Sequence, residues 1–160
     1  MPAIETSKQF KTIRLRSIRP VFTTKVVREC APAYLEHKRF TEPKQIYEMF
    51  LDLIPETKEH FLCLHLDGKN RIVCLDAVSI GSLNQSIVHP REVFKSAVMS
   101  SAAAIVLIHN HPSGDPTPSK EDLVITKRLK ECGELLGITV MDHIVVGDGV
   151  YVSFVERGLL

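Results

Sequence analysis

The chain has 160 residues and 44% hydrophobic content, which suits one domain with a full core that needs no disulfide or metal staple to fold. Its 20 basic and 19 acidic side chains leave a formal net charge of +1, which excludes a global field of the nucleic-acid or membrane-surface kind and confines any basic surface to a local patch. No continuous apolar stretch opens the chain and no run of about 18 apolar residues occurs in it, so secretion and membrane spanning are unsupported and a cytoplasmic location is expected.

From Lys8 to Arg28 seven basic residues, Lys8, Lys11, Arg14, Arg16, Arg19, Lys25 and Arg28, occur with no acidic residue between them. This predicts a basic arm over residues 1–41, a solvated segment with a short strand such as Thr12 to Ile18, or else a contact for nucleic acid or an acidic partner. Residues 42–160 read as the folded domain. Between Pro43 and Ile54, Ile46, Met49, Phe50 and Leu53 follow helical spacing, Pro43 suits a first turn and Pro55 stops the helix. Phe61 to Leu66 and Arg71 to Ile80 flank the turn residues Asp67, Gly68, Lys69 and Asn70, which predicts an antiparallel hairpin.

A second helix is expected to open at Pro90, with His89 helping its cap and Val93, Phe94, Ala97 and Val98 on its apolar face. Ala102 to Ile108 is wholly apolar, as a strand covered on both faces would be. His111 to Pro118 holds three prolines and a glycine and must be a loop. Ile125, Leu129, Cys132 and Leu136 then repeat at helical spacing until Gly137. Ile138 to Val146 and Val150 to Val155 close the chain as a second hairpin. Helices interleaved with strands define a three-layer α/β domain with a mixed sheet.

The four cysteines, Cys30, Cys63, Cys74 and Cys132, show no C-x-x-C spacing, which argues against a zinc knuckle or a redox motif and fits a reducing compartment. Cys63, Cys74 and Cys132 lie in apolar runs and are expected as buried thiols. The informative stretch is HNHPSGDPTPSKED, residues 109–122, where the buried strand ends. Residues i and i+2 of an extended segment project to one face, so His109 and His111 can aim both imidazoles at one ion. A catalytic zinc needs a third protein ligand and an open position, and Asp122 on the next helix can complete that set. Ser119 and Asp122 also read as a capping box in which both side chains satisfy free backbone N–H groups.

H-x-H-P followed by S-x-x-D resembles the signature of the JAMM, or MPN-plus, metalloprotease family. With GSLNQSIVHPREVFKSA before it and LLGITVMDHIVVGDGVYVS after it, the string is similar to the RadC branch of bacterial proteins, over roughly residues 42 to 158. The resemblance implies a fold like that of cytidine deaminases, a zinc ion on His109, His111 and Asp122, and Ser119 as support for the oxyanion of a tetrahedral intermediate. It also implies a glutamate base just ahead of a strand upstream of the histidines, a placement that Glu59 matches, with Glu56 and Glu92 as weaker candidates. Longer members of the branch carry a helix-hairpin-helix module, for which residues 1–41 have neither the length nor the glycine pattern.

His60 and His65, alternating with apolar neighbours, are expected as surface or satisfied side chains, and His143 as a neighbour of the pocket outside the ligand set. The function implied is zinc-dependent hydrolysis of a peptide or isopeptide bond in a peptide or protein substrate. The alternative is a DNA repair or recombination accessory protein using the basic arm.

Overall fold

The structure is a computed structural model that describes residues 21–23, 39–81 and 88–160. The basic run of the arm, apart from its apolar stretch 21–23, and the proposed strand Thr12 to Ile18 therefore lie outside the described residues. Within them the elements are α1 (Pro43–Met49), a 3-10 turn (Leu51–Leu53), β1 (Glu59–Leu66), β2 (Ile72–Gly81), α2 (Pro90–Met99), β3 (Ala104–Asn110), α3 (Lys120–Leu136), β4 (Thr139–Val146) and β5 (Tyr151–Ser153). The first helix is shorter than its periodicity predicts, because the chain tightens at Phe50 into the 3-10 turn before Pro55.

The five strands form one mixed sheet in the order β2-β1-β3-β4-β5. The β1–β2 hairpin and the β4–β5 hairpin are antiparallel, and β1 pairs antiparallel with β3. The β3–β4 pair is parallel, so α3 serves as the crossover between them. The β3 strand is buried at every position from Ala104 to Asn110, as its unbroken apolar sequence requires of a central strand.

Alternation along the strands divides the core into two layers. Leu62, Leu64, Leu66, Val106 and Ile108 pack with Ile46, Phe50 and Leu53 on the α1 side. Phe61, Cys63, Ile105 and Leu107 pack with Val93, Phe94, Ala97 and Leu129 on the α2 and α3 side. The three-layer reading is thereby realised. Because Ile105, Leu107 and His109 share one side of the strand, His109 emerges at the end of β3 toward α3.

The α3 helix meets the sheet through Leu129, Ile125 and Cys132 of the expected apolar stripe and through a second line of buried residues beside it. Asp122, Thr126, Leu129 and Gly133 are the buried positions, whereas Leu136 is 52% exposed and Ile125 and Cys132 are half-buried. Gly133 lets the helix come close: a Cβ there would sit 2.4 Å from the Ile138 carbonyl oxygen, so only glycine permits this approach to the start of β4. Gly137, with φ of 70°, then ends the helix in the left-handed conformation.

Two smaller expectations change and a third holds. Cys63 is buried, but Cys74 and Cys132 are only partly so, since β2 is an edge strand and Cys132 borders the exposed face of α3. His89 occupies the N-cap position of α2 without a side-chain capping bond, leaving Pro90 as the helix-starting signal. His65 is fully buried and satisfied by Ser100 Oγ at 2.8 Å from its Nδ1. Among the described residues no helix is long and apolar enough to cross a membrane.

Candidate metal centre

His109 and His111 flank Asn110 where β3 leaves the sheet. The His111 N–H donates to the Val146 carbonyl at 3.2 Å, so the backbone stays extended one residue past the strand and keeps both imidazoles on one side. Their Nε2 atoms lie 2.9 Å apart. The loop then turns back through a bond from Gly114 N–H to the His111 carbonyl, and His111 Nδ1 donates to the Asp115 carbonyl at 2.8 Å. A carbonyl only accepts, so Nδ1 of His111 carries the proton and Nε2 is the nitrogen free to face a metal ion.

The first turn of α3 brings the third donor. Asp122 places Oδ1 3.3 Å from His109 Nε2 and Oδ2 3.3 Å from His111 Nε2. A tetrahedral ion with bonds of about 2.0–2.1 Å spaces its ligand atoms about 3.3 Å apart, so these three donors fit one metal ion. Among the described residues, His109, His111 and Asp122 are the one His/Cys/Asp/Glu cluster of three or more so disposed. Burial opposes the charge of Asp122. The adjoining His109 and His111 rings, with Ser119, outweigh it and hold the carboxyl well below the usual carboxylate range. His111 is shifted upward by its bond to Asp122, against burial, with the Asp115 carbonyl and the charges of Asp122 and Glu59 adding to the rise.

The capping box and the ligand set, alternatives in the sequence, coexist here. Ser119 N–H donates to Asp122 Oδ2 at 2.7 Å, and Asp122 N–H donates to Ser119 Oγ at 3.1 Å. Ser119 Oγ also donates to Asp122 Oδ2 at 2.7 Å, so the serine hydroxyl is at the site and engaged by the aspartate. One carboxylate therefore starts the helix and faces both histidines.

Glu59 opens β1, half-buried and near enough for its charge to act on His111. Its backbone is bracketed by Asn110, which accepts from His60 N–H at 2.8 Å and donates to the Lys58 carbonyl at 3.0 Å. Asn110 thus ties Glu59 to the segment that carries both histidines, a role hidden in sequence, where it reads as a spacer. Glu56 and Glu92 are engaged elsewhere: Glu56 lies 3.4 Å from His60 Nε2, and Glu92 accepts from Lys95 at 2.6 Å.

Behind His109 stands His143, outside the ligand set but hydrogen-bonded to it, with Nε2 2.8 Å from His109 Nδ1. Burial, and then the neighbouring His109, push His143 well below the ordinary histidine value. Phe154 stacks on it at 4.7 Å, held there because the Asp142 carboxylate accepts from Ser153 Oγ, His143 N–H and Val155 N–H.

By fold and donor set this is a mixed α/β domain of the JAB or MPN type with a site that can hold a metal ion. Residues 40–159 match the family of RadC-like JAB domains, and the chain belongs to that family. It is 63% identical over 123 residues to a UPF0758 protein of Pelobacter propionicus and 64% identical over 124 residues to one of Trichlorobacter lovleyi. A UPF0758 protein of Methanosarcina mazei is 52% identical over 124 residues. The three alignments take in 76%, 77% and 77% of this chain and 54% of each relative. The chain thus spans about half the length of the curated relatives it matches.

Proposed function

We propose that this domain is a zinc-dependent hydrolase of peptidase or isopeptidase type, cleaving an amide bond of a peptide or protein. The observation that supports it most is the convergence of His109 Nε2, His111 Nε2 and the Asp122 carboxylate beside Glu59 and Ser119, in a chain of the RadC-like JAB domain family. Two imidazoles and one carboxylate are the donor set of a catalytic rather than a structural zinc site. Bound there, zinc supplies Lewis acidity and lowers the pKa of a water molecule to about 7.

The remaining work falls to this chain's own side chains. Glu59 takes the proton from the attacking water and delivers it to the leaving nitrogen as the C–N bond breaks. The Ser119 hydroxyl turns from Asp122 Oδ2 to donate to the carbonyl oxygen as that oxygen gains charge. Asn110 holds Glu59 in register with the histidines. The test is metal analysis and X-ray absorption of the purified protein, with hydrolysis assays on a panel of peptides and isopeptide-linked substrates. About one zinc per chain with N/O ligands and chelator-reversible hydrolysis is the expected result. A sulfur shell, or a fully loaded protein inert on the whole panel, would overturn the reading.

A further inference from the structure

We propose that Thr126 and His143 form a relay that fixes the proton of His109 on Nδ1 and so commits its Nε2 to the metal. The proposal rests on the metal-centre reading and names two positioning residues for it that are not ligands themselves.

The relay is anchored on a group with one hydrogen-bonding role. Thr126 Oγ1 lies 2.6 Å from the Asp122 carbonyl oxygen, which can only accept, so the single hydroxyl proton points there. Thr126 Oγ1 also lies 2.6 Å from His143 Nδ1. Its proton already spent, the hydroxyl must accept in this second bond, and His143 Nδ1 must carry hydrogen. The His143 ring is completely buried, stacked on Phe154 at 4.7 Å and met edge-on by Phe61 at 5.4 Å, a setting that favours the neutral imidazole. A neutral ring protonated on Nδ1 has a bare Nε2, and that atom faces His109 Nδ1 at 2.8 Å. His109 must therefore donate from Nδ1, and its Nε2 lone pair points toward His111 and Asp122.

The same outcome reaches His111 by a simpler route, through the Asp115 carbonyl. His109 is too deep for such a partner: it is 0% exposed, and β3 and β4 already use their backbone groups in the ladder. An imidazole set by a threonine takes the carbonyl's place. The reversed tautomer would put N–H against N–H, or lone pair against lone pair, inside the core, and would turn the Nε2 proton of His109 into the metal position.

The test pairs Thr126→Val, nearly isosteric but without the hydroxyl, with Thr126→Ser, which restores it. Loss of such a supporting bond typically costs about 10- to 100-fold in metal affinity. Zinc affinity by chelator competition should fall by that order in Thr126→Val and return to within a few-fold of the parent in Thr126→Ser. Ring-nitrogen NMR of the full chain supplies a readout that a packing defect would not give. The parent should show a scalar coupling across the His109 Nδ1–H to His143 Nε2 bond, with the proton on His109, and Thr126→Val should lose it. A parent that binds zinc but carries that proton on His143, or a Thr126→Val variant that binds as tightly as the parent, would overturn the relay alone. A parent that binds no zinc would overturn the metal-centre reading and the relay with it.

Discussion

Asp122 serves as a helix-starting acceptor and as a candidate ligand, and two substitutions separate those roles. Asparagine at this position keeps a carbonyl oxygen that can accept from Ser119 N–H, but it lacks the charge a metal requires; alanine has neither. In the parent, zinc at one hundred times its dissociation constant adds about 2.7 kcal/mol to stability. For a chain of this size each kcal/mol moves the melting temperature by about 2–4 °C, so the parent should melt roughly 5–11 °C higher with zinc than without. Asp122→Asn and Asp122→Ala should both lose that shift. Without zinc, both lack the carboxylate, so the lost interactions with His109 and His111 largely cancel between them. What remains are the bonds that Ser119 N–H and Ser119 Oγ donate to that oxygen, together worth about 1 kcal/mol. Asp122→Ala should therefore melt about 2–4 °C below Asp122→Asn. The assay is a calorimetric scan of three proteins with and without zinc. A zinc shift of parental size in Asp122→Asn would remove Asp122 from the ligand set. Equal zinc-free melting of the two variants would show that the cap contributes nothing.

Glu59→Gln should keep parental zinc affinity while amide hydrolysis falls about 10²- to 10⁴-fold, and loss of zinc instead would make Glu59 a ligand. Gly133→Ala should destabilise the domain by about 1–3 kcal/mol in urea unfolding and weaken zinc binding as well, because lifting α3 moves Asp122. Undiminished zinc affinity there would show that the helix absorbs the added methyl locally. Asp67, held at about 2 chiefly by the Arg71 backbone N–H, and against slight burial by Lys69 N–H and the Arg71 side chain, lies below its ordinary value of 3.8. A carboxyl lowered in the folded state contributes stability that is complete above its unfolded value and is lost as pH falls through the folded one. Asp67→Asn should therefore flatten the decline of the urea midpoint between pH 3.8 and about 2, and an unchanged slope would assign the acid lability elsewhere.

The histidine pair was legible in the sequence because i and i+2 on an extended segment share a face, and Ile105 and Leu107 pack with Phe61, on whose ring His109 stacks. The cap and ligand readings of Ser119 and Asp122 could not be separated in sequence, and the two oxygens of one carboxylate explain why neither excludes the other. Periodicity found Ile125, Leu129 and Cys132 on the inner face of α3 but overreached at Leu136 and missed the polar part of that face, because it counts apolar residues. That face also holds Asp122 and Thr126, satisfied by internal hydrogen bonds, and Gly133, which permits the approach. His143 and Thr126 were unreadable as supports, since their meeting with His109 depends on the β3–β4 register and on a contact across 34 positions of sequence. Asn110 was hidden for the same reason, its partners lying 50 and 52 positions away.

The parallel pairing of β3 with β4 also bears on the time order of assembly. A hairpin such as β1–β2 closes over a few residues, but β4 cannot reach β3 until the whole of α3 has been laid across the sheet, and such distant closures come late and slowly. His109 and His143 meet only through that β3–β4 closure, and Asp122 lies on the helix that spans it. Zinc should then find its full donor set after the rate-limiting barrier and act on the rate at which the native chain opens, leaving refolding nearly unchanged. Chevron plots with and without zinc should diverge on the unfolding limb; a zinc-accelerated folding limb would instead put the metal centre in the nucleus.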